Sequence, residues 1–195
     1  MSERGITHLQ KGRVMYPVEV IGNIADLVRT AFDLPCPYEP RLAVEKLGGK
    51  IVRDDNTVVD ASVKKEGAES FIISLNPNKY PHDNAQGRLA IAHELGHLFL
   101  HMGFLIKKKL WKSISEETYM SYSSETLPKN RTREELEADE FAAAFLMPRK
   151  EFDRQIYQNK SKDGIINVND IANYFAVSPK MILTRARWLG YVEWW

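Results

Sequence analysis

The spacing of apolar residues divides the chain into helical and extended stretches. Apolar side chains recur at helical intervals between residues 18 and 32, and residues 40–47 have the form of a second, short helix ended by Gly48-Gly49. The period then changes, and three runs rich in β-branched and aromatic residues predict strands at 50–53, 57–63 and 70–75. The pattern therefore predicts an α+β fold in which a small, mainly antiparallel sheet packs on helices.

Two longer helices follow the predicted strands. The first is capped by Asp83 or Asn84 and runs to about Leu100. The second begins at Thr132 with the form of a capping box and stops at Pro148, and its second half is apolar almost all round, which predicts burial. The stretch between them, residues 107–131, is polar and predicts a mobile loop, for which we favour a solvated connector over a functional flap.

The end of the chain predicts a pair of helices joined at residues 176–178. Ser178 as N-cap, Pro179 at the first helical position and Gly190 past the end mark the second helix. The pattern resembles a helix-turn-helix with three cations available to phosphates, namely Lys180, Arg185 and Arg187. Residues 161–195 hold only four basic and three acidic groups, so we favour packing on the rest of the protein, or recognition of a protein, over DNA binding. We divide the chain into a main domain over 1–160 and a helical segment over 161–195.

Composition indicates the class of protein and the compartment in which we expect it. Hydrophobic residues make up 44% of the 195 positions and charged residues 27%, with a net charge of +1, which is typical of a soluble globular protein. No stretch is long and apolar enough to span a membrane, and the first residues do not resemble a secretory signal, so we expect a cytoplasmic protein. Cys36 is the only cysteine, which excludes an internal disulfide and a thiolate metal site.

The candidate chemistry lies in the first long helix, where residues 93–97 read His-Glu-Leu-Gly-His. Histidines four residues apart share one face of a helix, so the imidazoles of His93 and His97 can converge on one metal ion. Glu94 extends from the same helix and would take a proton from an attacking water molecule. This is the HExxH signature of zinc hydrolases.

A hydrolytic zinc site needs a third protein ligand. His101 lies about 12 Å along the helix from His93, which is too far for one ion. The second long helix offers more acids than one site needs, and of these Glu134 and Glu137 border its apolar face, whereas Asp139 and Glu140 point to other sides. A carboxylate at Glu134 is expected in a first turn for the helix dipole alone. Glu137 is the stronger candidate, and an ordinary exposed glutamate remains the alternative for it.

The segments 88–97 and 135–148 closely resemble the ImmA/IrrE family of zinc-dependent metallopeptidases, and the similarity covers about residues 20–150. The resemblance implies a zincin-like fold, zinc on His93, His97 and Glu137, and Glu94 as general base. It also implies cleavage of a regulatory protein, such as a helix-turn-helix repressor of a phage or mobile element. The alternative is a metal-binding module that contacts a repressor or DNA without proteolysis.

Two further expectations concern substrate contacts. By analogy with zincins, residues 70–75 form the edge of the cleft that pairs with extended substrate. Tyr119 and Tyr122 are candidate oxyanion donors on residue type alone.

Overall fold

The computed structural model describes residues 16–55, 59–80, 84–116 and 132–192, together with the backbone of 119–122. Its elements in chain order are α1 (Val18–Ala31), α2 (Pro40–Lys46), β1 (Lys50–Arg53), β2 (Ala61–Glu66), β3 (Ser70–Leu75), α3 (Ala85–Gly96) with a π-helical turn (His97–His101), α4 (Lys108–Ser113), β4 (Tyr119–Tyr122), α5 (Arg133–Leu146), α6 (Arg149–Gln158), α7 (Val168–Phe175) and α8 (Pro179–Trp188). The α+β prediction is confirmed.

The strands form one mixed sheet in the order β1-β3-β2-β4. β1 runs parallel to β3, and β2 pairs antiparallel with both β3 and β4, so the sheet is mainly antiparallel as predicted. The register sets Ala61 opposite Leu75 and Val63 opposite Ile73, and these four buried side chains form the apolar face of the sheet. Helix α3 packs against β2, β3 and β4, which places the His-Glu-Leu-Gly-His segment on the sheet.

The prediction that residues 70–75 form the edge of the cleft is wrong. β3 hydrogen-bonds to β1 on one side and to β2 on the other, so its backbone groups are already paired and cannot accept an added strand. Among the described strands the edges are β1 and β4, and it is β4 that lies beside α3.

Capping side chains start the helices where the sequence predicts them. Asn84 accepts hydrogen bonds from the N–H groups of Gln86 and Gly87 at the start of α3, while the alternative cap, Asp83, lies outside the described residues. Thr132 accepts from the Glu135 N–H at the start of α5, and Ser178 accepts from the Met181 N–H at the start of α8. Gly190 follows α8 with a φ of +80°, a conformation that favours glycine.

Part of the predicted loop at 107–131 is ordered structure. α4 is tied to the β2–β3 hairpin, since the Trp111 indole N–H donates to Ala68 O (2.6 Å) and Lys65 Nζ donates to Trp111 O and Ile114 O, both at 3.0 Å. β4 then adds to the sheet. The prediction of a solvated loop is wrong for these two elements, because tertiary contacts override a polar local sequence. Residues 123–131 lie outside the described chain, as do residues 57 and 58 of the predicted second strand.

The C-terminal pair, α7 and α8, packs on the rest of the chain through its apolar side and one ion pair. Phe175 stacks on Phe152 of α6 with ring centroids 6.1 Å apart. Arg185 Nη1 lies 2.7 Å from Glu140 Oε1 of α5, and only 5% of the Arg185 side chain is exposed. Arg185 is therefore not available to a phosphate backbone, contrary to the prediction. The boundary at residue 160 stays a prediction.

Candidate metal centre

Helix α3 brings the two histidines of the signature together. His93 and His97 are both buried, and their Nε2 atoms lie 3.0 Å apart. Their four-residue spacing puts the rings on one face of a helix. The structure therefore brings these two imidazoles together, as their spacing predicts.

The carboxylate beside both Nε2 atoms belongs to Glu135, in the first turn of α5. Glu135 Oε1 lies 3.2 Å from His97 Nε2, and Glu135 Oε2 lies 3.4 Å from His93 Nε2. One donor atom from each of the three residues lies within 4.8 Å of the others. Among the residues that the structure describes, this is the cluster suited to a metal ion.

Glu137 does not occupy the position predicted for it. Two residues further along α5 turn its side chain by about 200° relative to Glu135. Glu137 Oε2 instead lies 3.0 Å from His101 Nε2, and Glu137 Oε1 accepts a hydrogen bond of 2.8 Å from the Tyr16 N–H. Glu137 is buried, so it is not the ordinary exposed glutamate of the alternative, and its carboxylate contacts His101 in place of the donor cluster.

Asp139 also differs from the prediction that it points away from the site. Asp139 Oδ1 lies 3.0 Å from His93 Nδ1, so the His93 ring donates its Nδ1–H to this carboxylate and keeps its Nε2 lone pair for the site. Glu135 and Asp139 are four residues apart on α5, as His93 and His97 are on α3. That matching i, i+4 spacing was the signal in the sequence that could have favoured Glu135 over Glu137.

The geometry of the three donors fits a tetrahedral metal ion. Bonds of about 2.0–2.2 Å to zinc put neighbouring ligand atoms roughly 3.3–3.5 Å apart. The two Nε2 atoms are 3.0 Å apart, and each has one of the two Glu135 oxygens at 3.2 or 3.4 Å. Two imidazole lone pairs and a carboxylate that face one another repel unless a cation or a proton lies between them. Imidazole and carboxylate are also ligands that zinc accepts, so His93, His97 and Glu135 fit this ion.

The charge states of the metal-free cluster reflect the same crowding. Burial acts to lower the pKa of His93, but the carboxylates of Asp139 and Glu135 outweigh it and the pKa is raised to about 9. Burial lowers the pKa of His97 to about 3. Burial would raise the pKa of Glu135, but its contacts with the His93 and His97 rings hold it well below its usual value. The metal-free cluster thus favours positive charge at the place where a metal cation would bind.

Glu94 is fully buried beside this cluster. Within the described chain, neither of its carboxylate oxygens has a hydrogen-bond partner. Burial raises the pKa of Glu94 to about 8, with the His93 charge opposing and the Glu135 charge adding to the shift. A buried carboxyl group without a partner costs several kcal/mol of stability, which is typical of a residue kept for chemistry.

The other candidate residues lie outside the donor cluster. His101 ends the π-helical turn and is buried, and its Nδ1 lies 2.9 Å from His97 Nδ1, so it lies behind His97 and not in the donor cluster. Tyr119 and Tyr122 are on β4, and their side chains lie outside what the structure describes. None of the described helices is long and apolar enough to cross a membrane.

A protein of known structure has a similar fold. A solved structure of a Mycobacterium tuberculosis transcriptional regulator is similar, with a TM-score of 0.52 and 17% sequence identity over 87% of this chain. The chain spans about half the length of that regulator, 46%. None of the curated proteins matches the chain. The family model described as Peptidase M78, IrrE N-terminal-like domain, matches residues 45–187, and the chain therefore belongs to this family of metallopeptidases.

Proposed function

We propose that this protein is a zinc-dependent peptidase that holds zinc on His93, His97 and Glu135 and uses Glu94 as its general base. The observation that carries the proposal is the convergence of two Nε2 atoms and the Glu135 carboxylate, with contacts of 3.0–3.4 Å. Beside them lies the buried Glu94, which has no hydrogen-bond partner among the described residues. A ligand cluster without a base beside it would support metal binding alone.

The chain supplies the proton transfers of peptide hydrolysis. A bound zinc ion would act as a Lewis acid and lower the pKa of water toward about 7. Glu94 would take the proton of the attacking water and then deliver it to the leaving nitrogen of the peptide. Glu94 is suited to both steps by its position, because it follows His93 on the metal-binding helix and lies buried beside the donor cluster.

The strand that would hold an extended substrate is β4. Its backbone pairs with β2 on one side, and it packs beside α3, which carries two of the ligands. An extended peptide that adds to the other side of β4 would lie along the metal centre, in the manner of β-strand addition. This assignment replaces the one made for residues 70–75.

We further propose that the substrate is a regulatory protein, such as a helix-turn-helix repressor of a phage or mobile element, and that the protein acts in the cytoplasm. Membership in the Peptidase M78 family supports proteolysis, and the resemblance to ImmA/IrrE proteins supports a regulator as its target. The non-proteolytic alternative does not explain why a buried Glu94 is kept between two intact ligands.

Co-expression with a candidate repressor tests this proposal. Cells that express the wild-type protein should lose the intact repressor and show two fragments, whereas cells with Glu94→Gln should keep it intact at the same level of expression. Equal loss of the repressor in both strains would contradict the peptidase mechanism. A Glu94→Gln protein that still binds zinc shows that the metal centre survives the substitution.

A further inference from the structure

A series of buried polar contacts connects the Nδ1 side of the His97 ring to the backbone of Tyr16. His97 Nδ1 lies 2.9 Å from His101 Nδ1, and His101 Nε2 lies 3.0 Å from Glu137 Oε2. The Tyr16 N–H donates to Glu137 Oε1 at 2.8 Å. His97 and His101 are at most 1% exposed and Glu137 is 5% exposed, so these contacts are shielded from water.

The Glu137 carboxylate, at one end of these contacts, determines which nitrogen of each histidine carries a proton. A carboxylate accepts hydrogen bonds, so His101 carries its proton on Nε2 and donates to Glu137. A neutral His101 then has a lone pair on Nδ1, and His97 must donate its own Nδ1–H to it. The Nε2 atom of His97 is consequently left without a proton and faces Glu135 and His93.

The π-helical turn is the local structure that brings the two rings together. Residues His97–His101 form this turn, and the Met102 N–H donates to His97 O, five residues back, at 3.0 Å. Single π-helical turns inside α-helices are frequent at functional sites. Here the turn ends the metal-binding helix on a buried histidine rather than on a solvent-exposed residue.

α5 thus faces the two histidine ligands with three acids at alternate positions. Glu135 reaches the donor cluster itself, Asp139 contacts His93, and Glu137 reaches His97 through His101. The two histidines therefore have different supports, a direct carboxylate for His93 and a histidine–carboxylate pair for His97.

We propose that His101 and Glu137 are positioning residues of the zinc site, which hold His97 in the tautomer that presents Nε2 to the metal and strengthen it as a donor. The inference rests on the proposed function for the identity of the metal. Residues behind a metal ligand commonly change metal affinity by about 10–100-fold, so the effect is measurable in binding itself.

Tyr16 contacts both Glu137 and the π-helical turn. Its hydroxyl donates to Leu100 O (3.3 Å), and Lys107 Nζ both donates to that hydroxyl and lies 4.6 Å from the centroid of its ring. The tyrosine is held on the π-helical turn by contacts other than the one to Glu137. Its backbone N–H is therefore held in place as a donor to the Glu137 carboxylate.

The experiment is a zinc titration of the full chain against a chromophoric chelator, with Glu137→Gln beside Glu140→Gln. Both substitutions remove a mostly buried carboxylate from α5, but Glu140 pairs with Arg185 and has no contact with the histidines among those described here. We expect Glu137→Gln to weaken zinc binding about 10–100-fold and Glu140→Gln to leave it unchanged, even where Glu140→Gln lowers the melting temperature more. Equal zinc affinity of Glu137→Gln and the wild type would overturn the proposal, as would an equal loss in both variants.

A spectroscopic readout separates positioning from general damage to the fold. In zinc-loaded protein with ¹⁵N-labelled histidine, we expect an exchange-protected proton on His97 Nδ1 in the wild type and its loss in His101→Phe. Retention of that protected proton in folded His101→Phe would overturn the proposal. Neither measurement uses peptidase activity, so failure of this inference is distinct from failure of the peptidase, which Glu94→Gln tests.

Discussion

The Cα of Ala138 lies 2.9 Å from the position that a Cβ on Gly96 would take. The backbones of α3 and α5 are thus close together at this point, where the glycine of His-Glu-Leu-Gly-His faces the alanine that follows Glu137. This close approach brings the two helix backbones near enough for Glu135 to reach His97 Nε2 at 3.2 Å. The spacing of the metal centre therefore depends on two residues without functional side chains.

Gly96→Ala should destabilise the protein and disturb the metal centre. The added Cβ would meet the backbone of Ala138, so the helices must separate, at a cost of about 1–3 kcal/mol. Gly22→Ala in α1 is the control, since a Cβ there meets nothing within 4 Å and should stabilise by about 0.5–1 kcal/mol. Urea unfolding measures both free energies, and a Gly96→Ala protein as stable as the wild type would contradict the close contact.

Glu135→Gln should lower zinc affinity more than any change behind the ligands. The amide replaces the carboxylate that faces both histidines, so we expect a loss greater than the roughly 10–100-fold for a residue behind a ligand. Glu134→Gln, the adjacent half-buried acid of the same helix turn, should bind zinc as the wild type does. Equilibrium dialysis with metal analysis provides the comparison, and the reverse order of the two variants would remove Glu135 from the site.

The choice of Glu135 over Glu137 as the third ligand is the part of this site that spacing along a single helix does not predict. His93, Glu94 and His97 lie on one continuous helix, where four-residue spacing alone determines which side chains meet. The third ligand depends on how α5 is rotated against α3, and in the structure Ala138 of α5 faces Gly96 of α3. A helical wheel of α5 alone does not contain this information.

The elements of the fold were likewise predictable where the local sequence defines them and not where remote contacts do. The bounds of α1 and β3 follow the predicted ranges closely because apolar spacing and local breakers define them. α4 and β4 were missed because they depend on remote partners, such as Ala68 for the Trp111 indole and β2 for the added strand. α6 was not predicted either.

Glu94→Gln should separate stability from catalysis. Removal of a buried carboxyl group that has no partner in the described chain should leave the metal-free protein at least as stable as the wild type, because the unpaired group is a cost to the fold. Loss of a general base lowers the rate by about 10²–10⁴-fold. Thermal unfolding and a cleavage assay on one preparation measure both, and a variant that is less stable but fully active would contradict the role of Glu94.

Arg185→Ala should destabilise the packing of α8 on α5. The substitution leaves Glu140, whose side chain is 12% exposed, without its ion-pair partner, which costs about 3–5 kcal/mol for a buried pair. Lys180→Ala, at an exposed position of the same helix, should change stability by less than about 0.5 kcal/mol. Denaturant unfolding compares the two, and equal stability of both variants would show that the ion pair contributes nothing.

The central claim is that Glu135, with His93 and His97, holds the metal ion of this peptidase. Anomalous diffraction at the zinc edge from crystals of the zinc-loaded protein tests it most directly. We predict one peak at about 2.0–2.2 Å from His93 Nε2, His97 Nε2 and an oxygen of Glu135, with Glu137 still on His101. A zinc ion bound by Glu137, or one bound without Glu135, would contradict the account.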